Sequence, residues 1–124
     1  MNCVTFFDQL TEDVVSFNNL FGTFLEDFYR ADKDKQGEMV KEEPKSFNEI
    51  PARYYSILAA TVHRLCRLHN IEVPRWVFHT KYTLDQPYFS MDTTGELRLV
   101  FLIESPIEFK ARNIFVESNV LSRA

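Results

Sequence analysis

Residues 5–30, TFFDQLTEDVVSFNNLFGTFLEDFYR, decide the fold class. Phe7, Leu10, Val14, Phe17, Phe21, Phe24 and Phe28 follow one another at alternating intervals of three and four residues. That spacing holds side chains on one face of an α-helix. It predicts one unbroken helix over about residues 5–30, with Thr5 and Asp8 as the capping pair at its start. Five of the seven seam residues are phenylalanine, and Leu20 and Leu25 widen the stripe. A face that heavy is a core face; its other use is as an exposed seam for a homodimer or for gripping a partner.

Working outward, residues 31–47 read as a charged connector. Its ADKDKQGEMVKEEPK run carries little that is large and apolar beyond Met39 and Val40, and forms either a short solvated helix ended by Pro44 or a mobile link. A second helix is expected over about 48–69, with Pro51 in its first turn. Tyr54, Leu58, Thr61, Leu65 and Leu68 form its inward seam, flanked by Tyr55, Ile57 and Val62, and Asn70 suits a left-handed stop.

Residues 70–124 lose this regularity. Trp76, Val77, Phe78, Tyr82, Leu84, Tyr88 and Phe89 are apolar without helical spacing, and Pro74 and Pro87 interrupt them. Side chains of this kind pin an irregular segment onto a core. ELRLVFLIE, residues 96–104, fits either a strand or a buried helix. Ser105-Pro106 opens a further helical turn with Glu108 in it. With no repeat and no boundary, residues 1–124 read as one domain. The expected fold is mainly α: a compact helical bundle with an aromatic-rich irregular segment and one short strand or hairpin in the C-terminal half.

The 124 residues are 45% hydrophobic and 26% charged, with three glycines and five prolines, a globular composition that excludes collagen-like and low-complexity chains. No run approaches the roughly 20 apolar residues of a membrane span. MNCVTFFDQLTEDVV has no basic stretch before an apolar one, so no secretory signal is expected. Cys3 and Cys66 lie in unrelated contexts, which argues for a reducing, cytoplasmic setting rather than a disulfide framework.

Net charge is −4, but residues 1–50 carry 11 acids against five bases and residues 51–124 nine bases against seven acids. Either the halves pack on each other or the basic half meets an acidic partner. A pI of about 5.3 argues against an autonomous DNA-binding domain.

Catalytic signatures are missing: no nucleophile elbow, no glycine-rich phosphate loop, no H-E-x-x-H helix. His63, Cys66 and His69 are zinc-ligating types, yet on one helix His63 and His69 point about 120° apart. No metal and no cofactor are expected, and the chain does not read as an enzyme. Arg53 and Arg64, 11 residues apart, fall within about 20° of each other around a helix axis, with Arg67 on the same side. That arginine stripe lies along a nucleic-acid backbone, pairs with an acidic partner, or is a solvated face.

From Glu43 onward the chain resembles a family of small uncharacterised bacterial proteins, notably actinobacterial. Their pattern is an acidic residue before proline, a tryptophan opening the middle helix, a His-Gly-Leu-Pro-x-Pro-x-Trp run, an aromatic pair, a Ser-Pro-x-x-Phe step and an Arg-Arg-Gly-Ile-Phe ending. Here the matching residues are Glu43-Pro44, Tyr54 at the tryptophan position, His69 to Trp76, Tyr88-Phe89, Ser105 to Phe109, and Arg112-Asn113-Ile114-Phe115. The match covers about two thirds of the chain, omits the Phe-rich first segment and lacks the glycine after His69.

Such proteins are often encoded beside nucleotidyltransferase-like proteins or carry an added helix-turn-helix, in arrangements like toxin–antitoxin pairs. No such added segment is read here, which argues against operator binding. The resemblance implies an antitoxin-like module that neutralises a nucleotidyltransferase-type toxin. Arg53, Arg64, Arg67 and Arg112 are the candidate charged contacts, and Trp76, Tyr88 and Phe89 the candidate aromatic anchors. The alternative is a nucleic-acid-binding accessory protein that uses the arginine stripe.

Overall fold

In the computed structural model, residues 1–9, 14–45, 50–89, 95–117 and 120–121 are described, except for the side chains of 8–9, 14–15 and 95–99. Six α-helices are assigned in chain order: α1 (Cys3–Gln9), α2 (Val14–Arg30), α3 (Lys33–Lys41), α4 (Ala52–Leu68), α5 (Gly95–Glu104) and α6 (Ile107–Lys110). Two 3₁₀ turns, Arg75–Phe78 and Thr80–Tyr82, follow α4. Strands β1 (Tyr88–Phe89) and β2 (Ile114–Phe115) pair in parallel, Tyr88 opposite Ile114 and Phe89 opposite Phe115. The fold is mainly α, as the helical spacing predicts, with the short strand element in the C-terminal half.

The single long helix expected over 5–30 is instead two helices. The Phe6 and Phe24 ring centroids are 6.1 Å apart. On one continuous helix these residues would be separated by about 27 Å along the axis. The chain folds α1 back onto α2 because that lets both sets of phenylalanines bury together. Leu10 lies outside the described residues. The capping pair also differs: Asn2 Oδ1 accepts from the Thr5 N–H at 2.8 Å while Thr5 Oγ1 accepts from the Asn2 N–H at 3.0 Å. The reciprocal box therefore starts three residues earlier than Thr5 and Asp8 would place it.

Helix α4 is the centre of the molecule, buried continuously from Tyr54 to Val62. Its two consecutive tyrosines each stack on a different helix. Tyr55 lies parallel to Phe7 of α1 at 4.0 Å, and Tyr54 to Phe17 of α2 at 4.4 Å. Offset stacks of this kind add about 0.5–1.5 kcal/mol each beyond the area they bury. At the other end of α4 the seam gives out: Leu68, expected inward, is 58% exposed. Asn70 then adopts φ 56 and the Ile71 N–H reaches back to the Cys66 carbonyl at 2.9 Å, a Schellman stop of the kind the sequence suggests.

The charged connector contains α3. Asp32 caps it by accepting from the Lys35 N–H at 2.8 Å. Gln36, Met39 and Val40 are buried, and Gln36 Nε2 donates to the Phe28 carbonyl at 2.8 Å, so the acidic segment is docked rather than loose. Residues 96–104, open between strand and helix in the sequence, lie within α5. Among the described residues no helix is long and apolar enough to cross a membrane.

Candidate functional site

Helix α6 packs against α4 and brings residues far apart in sequence onto one carboxylate. Pro106, at φ −56, sets the start of this one-turn helix, and Phe109 is fully buried beneath it. Glu108 sits between, its side chain 1% exposed. Arg67 donates to its Oε1 at 2.6 Å and Arg64 to its Oε2 at 3.3 Å. One helical turn separates the two arginines on α4, which is why both reach the same acceptor.

Arg112, just past α6, is itself buried. It donates through Nη1 to the Glu108 carbonyl at 2.8 Å and through Nη2 to the Val77 carbonyl at 2.8 Å. Its Nη1 also faces His63 Nδ1 at 3.2 Å, with the His63 ring edge-on to Phe78 at 4.9 Å. One guanidinium thus ties together α4, α6 and the first 3₁₀ turn.

Burial pushes the Glu108 carboxyl up, but its own backbone N–H together with Arg64 and Arg67 outweighs that and holds it below the usual carboxylate range. Burial pushes His63 down, and Arg112 and Arg67 push it further against a smaller opposing pull from Glu108. A neutral His63 accepts from Arg112, whereas an imidazolium would set two cations face to face.

The other candidate residues lie in separate places. The Arg53 guanidinium sits 4.9 Å from the Tyr54 ring centre and 5.7 Å from that of Tyr88. Half-buried Trp76 donates from Nε1 to the Val40 carbonyl at 2.9 Å and lies edge-on to Tyr82. Phe89 stacks on Phe115 at 5.0 Å across the strand pair. The structure therefore joins Arg64, Arg67 and Arg112 around Glu108, joins Arg53 to Tyr88, and leaves Trp76 and Phe89 apart from both. Each of these side chains has a contact within its own chain, and Arg67, 56% exposed, also remains open to solvent.

Reactive chemistry has little footing among the described residues. Burial raises the Cys3 thiol and pushes Cys66 up to about 11, so both are protonated at neutral pH and poor nucleophiles. The His69 ring packs edge-on to Phe28 at 5.2 Å. No three His, Cys, Asp or Glu side chains among the described residues converge as a metal site would require.

Exposed apolar side chains are concentrated on α5 and the start of α6. Of the α5 side chains described, Phe101 is buried while Val100, Leu102 and Ile103 are exposed, Ile103 to 71%; Ile107 at the start of α6 is 64% exposed.

Glu108 is the residue that sequence reasoning leaves in the background. Its position in a proline-led turn between Ile107 and Phe109 is the one local signal that it could be drawn inward. The chain matches no protein-family model, no curated protein and no solved structure.

Proposed function

We propose that the protein is a non-enzymatic interaction module, antitoxin-like, that binds and neutralises a partner protein such as a nucleotidyltransferase-type toxin. The observation that carries this reading is the exposure of four aliphatic side chains within eight residues, Val100, Leu102, Ile103 and Ile107. Clustered exposed aliphatic side chains on a small domain mark contact surfaces, whereas scattered ones need no explanation.

The nucleic-acid alternative is weakened by the same geometry. Arg64 and Arg67 already neutralise part of their charge on Glu108, and Arg53 lies against two tyrosine rings. Support for the resemblance comes from two backbone positions. Asn70 and Asn113 stand where the family pattern has its glycines, and their φ values are 56 and 67. Glycine favours that left-handed region and asparagine tolerates it, so the exchange is a local substitution within one backbone shape.

The test is purification of the tagged protein from its own host, with and without nuclease, at low and moderate salt, beside an Ile103→Asp/Ile107→Asp variant. One stoichiometric protein companion that survives nuclease and salt, and is lost in the variant at unchanged melting temperature, is the expected result. Recovery of nucleic acid alone, lost as salt rises, overturns the reading and returns function to the arginines.

A further inference from the structure

Gly37 sits in the middle of α3 without a reason internal to the fold. Glycine is the poorest helix former after proline. A methyl group placed there would meet Ile71 Cγ2 at 4.0 Å, an ordinary van der Waals contact. No left-handed backbone demands glycine at this position either, since the non-glycine positive φ values and the glycine's own geometry place no such requirement on α3. The residue lines a cleft of about 360 Å³ between α3 and the segment after α4.

The cleft is built of two kinds of surface. Val40, Ile71, Val73 and Pro74 supply hydrocarbon. Lys41, Glu72 and Arg75 supply charge, two cations to one carboxylate. None of these three makes an ion pair or a side-chain hydrogen bond among the described residues; Glu43, two residues from Lys41, is instead taken by Lys81 and the Tyr82 hydroxyl. The walls are tied in place. Trp76 Nε1 bridges from the residue next to Arg75 to the Val40 carbonyl, and the Ile71 N–H is fixed on Cys66 by the Schellman turn.

We propose that this cleft binds a small apolar carboxylic acid, its hydrocarbon over Gly37 and Ile71 and its carboxylate between Lys41 and Arg75. The volume lies in the range of small-ligand sites. The surplus cation selects an anion, and Arg75 offers a planar fork that matches a carboxylate. The hydrocarbon lining requires that the anion carry an apolar body, which a bare phosphate does not have. This site is separate from the α5–α6 edge and stands whether or not that edge binds a protein.

The test is an amide-resolved NMR titration of the full chain with octanoate, and with octylamine as the charge-inverted control. Octanoate is expected to shift the Gly37, Val40 and Ile71 amides saturably, and octylamine to leave them in place. Lys41→Gln/Arg75→Gln should weaken octanoate about fivefold, the loss of two exposed ion pairs. Gly37→Leu should abolish the shifts, and Gly37→Ala should raise the melting temperature. Absence of saturable shifts, equal shifts with octylamine, or binding that persists in Gly37→Leu overturns the proposal. A lower melting temperature for Gly37→Ala does so as well, because it would return the glycine to the fold.

Discussion

Arg67 meets Glu108 at 2.6 Å across 41 residues of chain, and the two ends of that contact differ sharply in exposure: the carboxylate is 1% accessible and the arginine 56%. The asymmetry decides how the pair responds to mutation. Removing an exposed cation costs little while another remains, whereas stranding a buried anion costs several kcal/mol.

Arg67→Ala alone should therefore lower stability by about 1 kcal/mol or less, since Arg64 still faces Glu108. Arg64→Ala/Arg67→Ala should lower it by about 3 kcal/mol, more than the sum of the single changes, because the buried carboxylate then loses both of its ion-pair partners. Urea unfolding of the three variants checks this. Simple additivity would mean that Glu108 swings out to water.

Acid should unfold the protein in two stages. His63 has its folded pKa depressed below the ordinary 6.5, so the unfolded chain binds more protons just below that pH and stability falls there as pH drops. Glu108 is also depressed, so its contribution is present above the unfolded carboxylate value of about 4.3 and is lost as pH falls through the lower folded value. The urea midpoint of the parent should decline as pH falls below about 6.5, and His63→Gln should flatten that part alone. An unchanged slope in the variant would place the titration elsewhere.

Asn113 combines φ 67 with a side-chain bond from Nδ2 to the Leu84 carbonyl at 3.0 Å, and its own carbonyl accepts from the Tyr88 N–H at 3.0 Å. Asn113→Ala should cost about 2 kcal/mol, the sum of left-handed strain and a lost hydrogen bond, while Asn113→Gly loses the bond alone and should cost about 1. Thermal melts of the two variants should fall in that order. The reverse order would contradict the left-handed assignment.

The helical character of α1 and α2 was legible because burial of a phenylalanine stripe is a local, periodic demand. The fold-back of α1 onto α2 was not, since the three-four rhythm says nothing of whether a helix continues or reverses, and tertiary contacts such as Phe6–Phe17 and Phe6–Phe24 distinguish the two. Asn70 was legible as a stop because its backbone preference is intrinsic. Leu68 was misread because periodicity assumes a neighbour along the whole seam. Glu108 was out of reach: what gives it meaning is Arg64 and Arg67, 44 and 41 residues away, and nothing in either segment encodes the pairing. The exposed edge at Val100, Ile103 and Ile107 has a composition that serves a buried helix equally well, so solvent contact at those positions is a tertiary fact.

The strand pair and Ser105 have a joint effect on α5, which lies between them in the chain. Phe89 is paired with Phe115, and Ser105 Oγ accepts from the Val116 N–H at 2.9 Å. Both ends of that excursion are thus moored to consecutive residues, as the two feet of a handle are fixed to one plate. Closing a loop costs free energy only slowly with its length. The exposed positions of α5 can therefore change while buried Phe101 and the two moorings keep the plate in shape. A chain built this way can vary the exposed face of α5 without first solving its folding problem again.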